Sequence, residues 1–286
     1  VMQTVLGVHR DRQVLRYQRE TFVRWWARRS SSKKTTAGKK AALFAGCLVN
    51  YQATDVGKAT VQVLEKNRVD VALPDQSCCG MPSFDIGDTA AMVAAAERTI
   101  ASLKSWVDQG YDVVIPTPSC SLMVKREYLS LVAGDDAKRV AEHTYDISEY
   151  LMKMKREGGL AMDFTQKPGR VAYQVPCHLR DQNIGFKSKE LMECAGAKVE
   201  VIEKCSGHDG SWSAKVEFFP LSMTIAQKAV RVVEQTPADL VASDCPLAGL
   251  QLNQAGAAAH VGGRAAQHPI QIVRDAYGLP RDPRAS

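Results

Sequence analysis

Short apolar runs alternate with stretches of helical period over most of this chain. Ala41–Gly46 (AALFAG), Val69–Leu73, Asp112–Ile115, Arg170–Val175, Lys198–Ile202 and Leu240–Ala242 have the length and apolar density of buried strands. Between them lie amphipathic segments. Asp55–Lys66 sets Val56, Ala59, Val63 and Leu64 on one helical face. Thr89–Gln109 carries a stripe of Met92, Val93, Ala96, Ile100, Leu103 and Val107, and Gly110 stops it. Ser121–Leu131, Ile147–Arg156, Lys187–Cys194, Leu221–Glu234 and Ile270–Tyr277 are also expected to be helical. Strand–helix alternation predicts an α/β fold with parallel pairing.

The pattern differs before residue 41. Thr4–Arg29 predicts one helix, with Val5, Val8, Val14, Leu15, Phe22, Val23 and Trp26 among many arginines. Ser30–Lys40 (SSSKKTTAGKK) is small, polar and basic, as a linker would be. Three parts follow: an arm with linker at 1–40, a unit at 41–165 and a second unit at 166–286.

Charge sharpens this division. The net charge of the 286 residues is +6, yet residues 1–40 hold 11 Lys and Arg against 2 Asp and Glu, leaving the remainder at −3. A basic arm with Phe22, Trp25 and Trp26 is expected to dock on a partner subunit or on a membrane surface. Nucleic acid is not expected, because no nucleic-acid motif accompanies the charge. No apolar run reaches the roughly 18–20 residues of a membrane span, and no secretory signal is visible. A cytoplasmic protein, peripheral on the inner face of the membrane at most, is the expectation. The start on Val1 suggests a piece of a longer protein.

Cysteine placement carries the chemistry. Cys78 and Cys79 are adjacent and precede Gly80, with Cys47 31 residues before Cys78 and Cys120 41 residues after Cys79. Cys177, Cys205 and Cys245 repeat the spacing, offset by 130, 127 and 125 residues from Cys47, Cys78 and Cys120. Two βα halves related by duplication and a pseudo-twofold axis account for this. Every one of these cysteines follows a predicted strand, so each set is expected at one rim of a parallel sheet. Four thiolates suit a cubane-type iron–sulfur cluster or a tetrahedral zinc. The second set has Ser206 in place of the second cysteine, which leaves one position for His208, His178 or Asp244, or for a small ligand. Cys194 has no counterpart and is expected in the core. His143, His260 and His268 are expected at the surface or in packing; Asp209, Trp212 and Lys215 are expected in an ordinary polar loop, with the lining of a substrate cleft as the alternative.

The duplicated pattern resembles the CCG cysteine-rich family of iron–sulfur oxidoreductase subunits. The likeness rests on "FAGCLVNYQ", "SCCGMPSFDIGD", "VPCHL", "ADLVASDC" and the arm's "VLGVHRDRQVLRYQRETFVRWW". That family includes the B subunit of heterodisulfide reductase, lactate-utilisation iron–sulfur proteins and the C subunit of anaerobic glycerol-3-phosphate dehydrogenase. The resemblance implies a duplicated CCG-type fold, a 4Fe-4S cluster on the first set and an iron–sulfur cluster or zinc on the second. It also implies electron exchange with a flavoprotein dehydrogenase or a ferredoxin-like domain. The family motif ends in a further cysteine where this chain has Met123 and Ala248, so a five-cysteine non-cubane cluster is not implied. Iron–sulfur electron transfer is therefore the leading expectation. Two alternatives stand beside it: an enzyme with an open metal position for a thiol, disulfide or small anion, and a module with structural zinc.

Overall fold

The computed structural model describes residues 2–29 and 38–282. Two parallel sheets form the frame. The first has the order β2-β1-β3-β4, from β1 (Lys40–Leu43), β2 (Asp70–Ala72), β3 (Asp112–Ile115) and β4 (Thr144–Asp146). The second has the order β6-β5-β7, from β5 (Arg170–Gln174), β6 (Lys198–Ile202) and β7 (Leu240–Ser243). The central strands are apolar and buried on both faces, as parallel strands covered by helices must be.

The two halves share one topology. β1 and β5 lead into the helices carrying Cys47 and Cys177, and β3 and β7 lead into Cys120 and Cys245. Even β4 has a remnant counterpart, a single parallel bridge between Ala242 and Gln267. β4 was not expected from the sequence, and neither was the helix Asp135–Glu142 before it. Three polar-flanked residues carry too little periodicity to announce a strand.

The halves clasp each other reciprocally. Helix Ile147–Arg156 of the first packs on Lys187–Cys194 of the second, and Pro269–Ala276 of the second packs on Thr54–Lys66 of the first. One apolar core crosses the boundary, combining Val56, Leu64 and Leu151 with Leu191, Ile270 and Val273. The caps of two equivalent helices meet the same interface. Asp146 caps Ile147–Arg156 and His268 caps Pro269–Ala276, each in a reciprocal capping box. His268 Nδ1 accepts from Ile270 N at 3.1 Å, while Nε2 lies 2.8 Å from the Pro116 carbonyl of the first half. The ring is therefore neutral with its proton on Nε2, and burial lowers its pKa. Nearby, the buried Asp244 carboxylate accepts from Tyr173 at 2.5 Å and from Ser188. Asp146 has one carboxyl oxygen with no partner, and burial together with Asp244 raises its pKa.

The arm departs from its expected form. Helices occupy only its ends, Met2–Leu6 and Phe22–Arg28, and an extended strap joins them. Its backbone bonds to the second half through His9 N to Ala214 O (2.8 Å) and Val216 N to Gly7 O (2.9 Å). Further on it reaches the first half through Gln18 N to Tyr51 O (2.8 Å). The strap satisfies its amides from both halves, so a continuous helix offers no advantage there. Phe22 is fully buried, and Trp25 and Trp26 pack beside it on the first core. The aromatic side chains that suggested a membrane surface are thus used internally. Residues 30–37 of the expected linker lie outside the described residues. Among the described residues no helix is long and apolar enough to cross a membrane.

Two interface groups yield measurable expectations. Arg274 is buried and pairs with Asp55 across the halves (2.7 Å) and with Asp275 (3.0 Å). Arg274→Ala should destabilise by about 3 kcal/mol, the low end for a broken buried pair, because both carboxylates keep some solvent. Urea unfolding checks this. His268 has a folded pKa below its unfolded value of roughly 6.5, so its contribution is complete above that pH and shrinks as pH falls, when the unfolded chain takes up the proton. The loss of stability between about pH 7.5 and 5.5 should be smaller in His268→Gln than in the parent.

Candidate metal centre

The cysteines of the first set lie at the ends of neighbouring strands. Cys47 lies on the short helix after β1, Cys78 and Cys79 in the loop after β2, and Cys120 on the helix after β3. All eight cysteines are free thiols. Cys47 donates to Cys78 with the sulfurs 3.9 Å apart. Cys79 stands next, within hydrogen-bonding reach of both Cys120 and Cys78. The acid–base consequences alternate. Cys78 is lowered chiefly by the Cys47 hydrogen bond, with help from Cys79 and the Gly80 amide, and Cys120 is lowered chiefly by Cys79. Cys47 is raised by its bond to Cys78, and Cys79 by its bonds to Cys120 and Cys78. The four sulfurs form a compact set, partly shielded from water.

Local geometry supports that set. Gly80 adopts φ +89°, and a Cβ built there would stand 3.1 Å from Ala95 Cβ. Tyr128 donates to the Cys79 carbonyl at 2.8 Å and pins the loop from beneath. Tyr128 sits just beyond a π-helical turn, Met123–Glu127, which follows Cys120.

The second set assembles in part. Cys177 and Cys205 are exposed neighbours. The Cys177 hydrogen bond lowers Cys205 to about 6, aided by the Gly207 amide 3.3 Å from its sulfur, while Cys177 itself is raised. Cys245 caps the helix Pro246–Gln254, where Ala248 N lies 3.5 Å from its sulfur, and burial raises its pKa. The thiol that it senses electrostatically is Cys120 of the first set. Both sets therefore border the interface, where helix Cys177–Arg180 packs on Pro118–Leu122 and His178 Nδ1 meets Ser119 Oγ at 2.9 Å. Among the described residues, no three His, Cys, Asp or Glu side chains are arranged around a single point as ligands of one ion. The thiols meet instead as pairs, Cys47 with Cys78 and Cys177 with Cys205.

His208 is neutral. Burial, Arg12 and His178 lower its pKa to about 4. Arg12 Nη2 lies 3.1 Å from His208 Nδ1, and the same guanidinium bonds to Gln251. Arg12 was not singled out from the sequence, because nothing near it in the chain marks it. Gly207 was also missed, although Cys205-Ser206-Gly207 mirrors Cys78-Cys79-Gly80. The lesser residues settle into packing. Cys194 is half-buried with Lys155 Nζ at 3.0 Å rather than deep in the core. Trp212 stacks on Phe218, and Lys215 pairs with Val8 of the strap, so this loop anchors the arm. Asp209 bears on Asp85 of the first half, whose pKa is raised by burial and by that charge. His143 and His260 sit near the surface beside Asp112 and Glu234.

The CCG cysteine-rich domain matches this chain twice, at residues 41–125 and 171–253. The chain belongs to the CCG cysteine-rich family. Lactate utilization protein A of Geobacillus thermodenitrificans (strain NG80-2) is 31% identical over 253 residues, covering 84% of this chain and 98% of that protein. The C subunit of anaerobic glycerol-3-phosphate dehydrogenase from Escherichia coli (strain K12) is 26% identical over 280 residues, covering 96% of this chain and 68% of that protein. The matches bracket both cysteine sets, and the second relative extends over the strap as well.

Gly207 separates backbone strain from steric overlap. A Cβ there would lie 2.2 Å from the Ser222 carbonyl, whereas at Gly110, with a similar φ of +80°, nothing lies within 4 Å. Gly110→Ala should cost about 1–3 kcal/mol from backbone strain alone, and Gly207→Ala clearly more. Thermal unfolding of the two variants tests the difference.

Proposed function

We propose that this chain is the iron–sulfur electron-transfer subunit of a multi-component oxidoreductase. The carrying observation is the chain of four free thiols, Cys47, Cys78, Cys79 and Cys120, gathered at the strand ends of one parallel sheet. These four would hold a 4Fe-4S cluster. When bound, it supplies a delocalised one-electron centre whose potential the protein tunes by hydrogen bonds and burial. The chain's own part is to place the sulfurs, direct the Gly80 amide at Cys78, and keep water from the buried Cys79 and Cys120. Membership of the CCG family supports this role, as does likeness to a named dehydrogenase subunit.

Cys177, Cys205 and Cys245 would hold a second centre, iron–sulfur or zinc, with no fourth cysteine. The expected partner is a flavoprotein dehydrogenase or a ferredoxin-like domain. Exposed Val5, Leu6, Val14 and Tyr17 on the arm suit such docking better than the packed tryptophans do. Eight free thiols fit the cytoplasm, with any membrane contact peripheral on its inner face. A second reading is favoured by one observation, the exposure of Cys177 and Cys205. An open metal position beside them would accept a thiol, disulfide or small anion.

Metal analysis of anaerobically purified protein is the test. Cys79→Ser should remove one cluster's share of iron, sulfide and visible absorption and leave the second centre intact. Full iron in that variant would exclude Cys79 as a ligand. Zinc without iron in the parent would replace electron transfer with a structural role.

A further inference from the structure

We infer that Arg12, delivered by the strap, is a positioning residue that fixes His208 with its proton on Nε2, making that nitrogen a hydrogen-bond donor and not the fourth metal ligand of the second cysteine set. The argument uses donor and acceptor identity. A guanidinium has five N–H donors and no acceptor, so the ring nitrogen facing it must offer a lone pair. That nitrogen is Nδ1, 3.1 Å from Arg12 Nη2. Ser213 Oγ, at 3.4 Å, also addresses Nδ1. In a neutral imidazole the proton then resides on Nε2. Ligation through Nε2 would require the opposite tautomer and would set an Nδ1 hydrogen against the hydrogens of Arg12. Ligation through Nδ1 would require Arg12 to leave.

The strap makes that departure costly. Its segment from Gly7 to Gln13 is held by Val216 N to Gly7 O (2.9 Å), His9 N to Ala214 O (2.8 Å) and Gln13 N to Gln254 Oε1 (3.2 Å). His9 stacks on Phe219 with ring centres 4.1 Å apart. Arg12 is also bonded to Gln251, itself fixed by Ser222 Oγ at 3.0 Å. The Ser206 hydroxyl is engaged in the same loop, where it accepts from His208 N at 3.3 Å. A centre on Cys177, Cys205 and Cys245 would then have a fourth position that His208 does not fill. His208, three residues after Cys205, then carries its Nε2–H as a donor, with the positive charge of Arg12 at its other ring nitrogen. The open position rests on the proposal that these cysteines bind a metal; the tautomer does not.

Nitrogen-15 spectra of histidine-labelled full-length protein test the tautomer directly, with His208→Gln assigning the signals. His208 should show an unprotonated Nδ1 and a protonated Nε2. In Arg12→Leu the two resonances should shift toward the averaged positions of exchanging tautomers, and Arg12→Lys, another donor without an acceptor, should restore them. A protonated Nδ1 in the parent, or no shift in Arg12→Leu, would overturn the inference. Metal content supplies the second arm. His208→Gln should keep the full metal content of the parent, whereas loss of the second centre's share would make His208 a ligand. If Cys177→Ser loses no metal either, the second set is not a metal site, and the spectra still decide the role of Arg12.

Discussion

A parallel strand can hand its following loop to only one end of its sheet. Every cysteine of the two sets, and every short helix that carries one, depends on that constraint. β1, β2 and β3 deliver Cys47, the Cys78–Cys79 pair and Cys120 to a single rim, and β5, β6 and β7 repeat the delivery. The apolar content of the strands serves the same end, since a sheet covered on both faces is rigid enough to hold sulfurs within contact of one another.

Reciprocal packing then brings the two rims together. The equivalent helix pairs across the boundary bury one common core, and equivalent caps, Asp146 and His268, close it. The duplication makes the two clasping helix contacts equivalent. The halves differ elsewhere. Ser206 stands in the place of a cysteine, and β4 shrinks to one bridge in the second half. Cys245 faces toward the first set in electrostatic terms, while Cys177 and Cys205 remain at the surface. One set is sheltered and rich in thiol contacts; the other is open and short of a donor.

The arm changes from an appendage to a component. Its basic charge is partly used inside the molecule, with Arg29 stacked 3.9 Å above Trp26 and paired with Glu65 at 2.6 Å. The strap bridges both halves close to the exposed cysteines.

The sequence by itself determined six of the seven described strands, the duplication, the family and the placement of each cysteine of the two sets after a strand. Each of these is written in local periodicity or in residue spacing, and a buried parallel strand followed by a cysteine leaves little freedom in where the thiol goes. Tertiary structure alone decided the rest. Thr4–Arg29 has helical composition, yet its middle is extended because amides and carbonyls of both halves offer it better partners than its own turns do. Asp146 and His268 look unremarkable in sequence and acquire their roles only when two cap positions meet across an interface. The pairing of Arg12 with His208 spans 196 residues, so no window of sequence contains it. A hydrogen bond fixes the state of a ring through the partner that faces it, and which partner faces it is a property of packing.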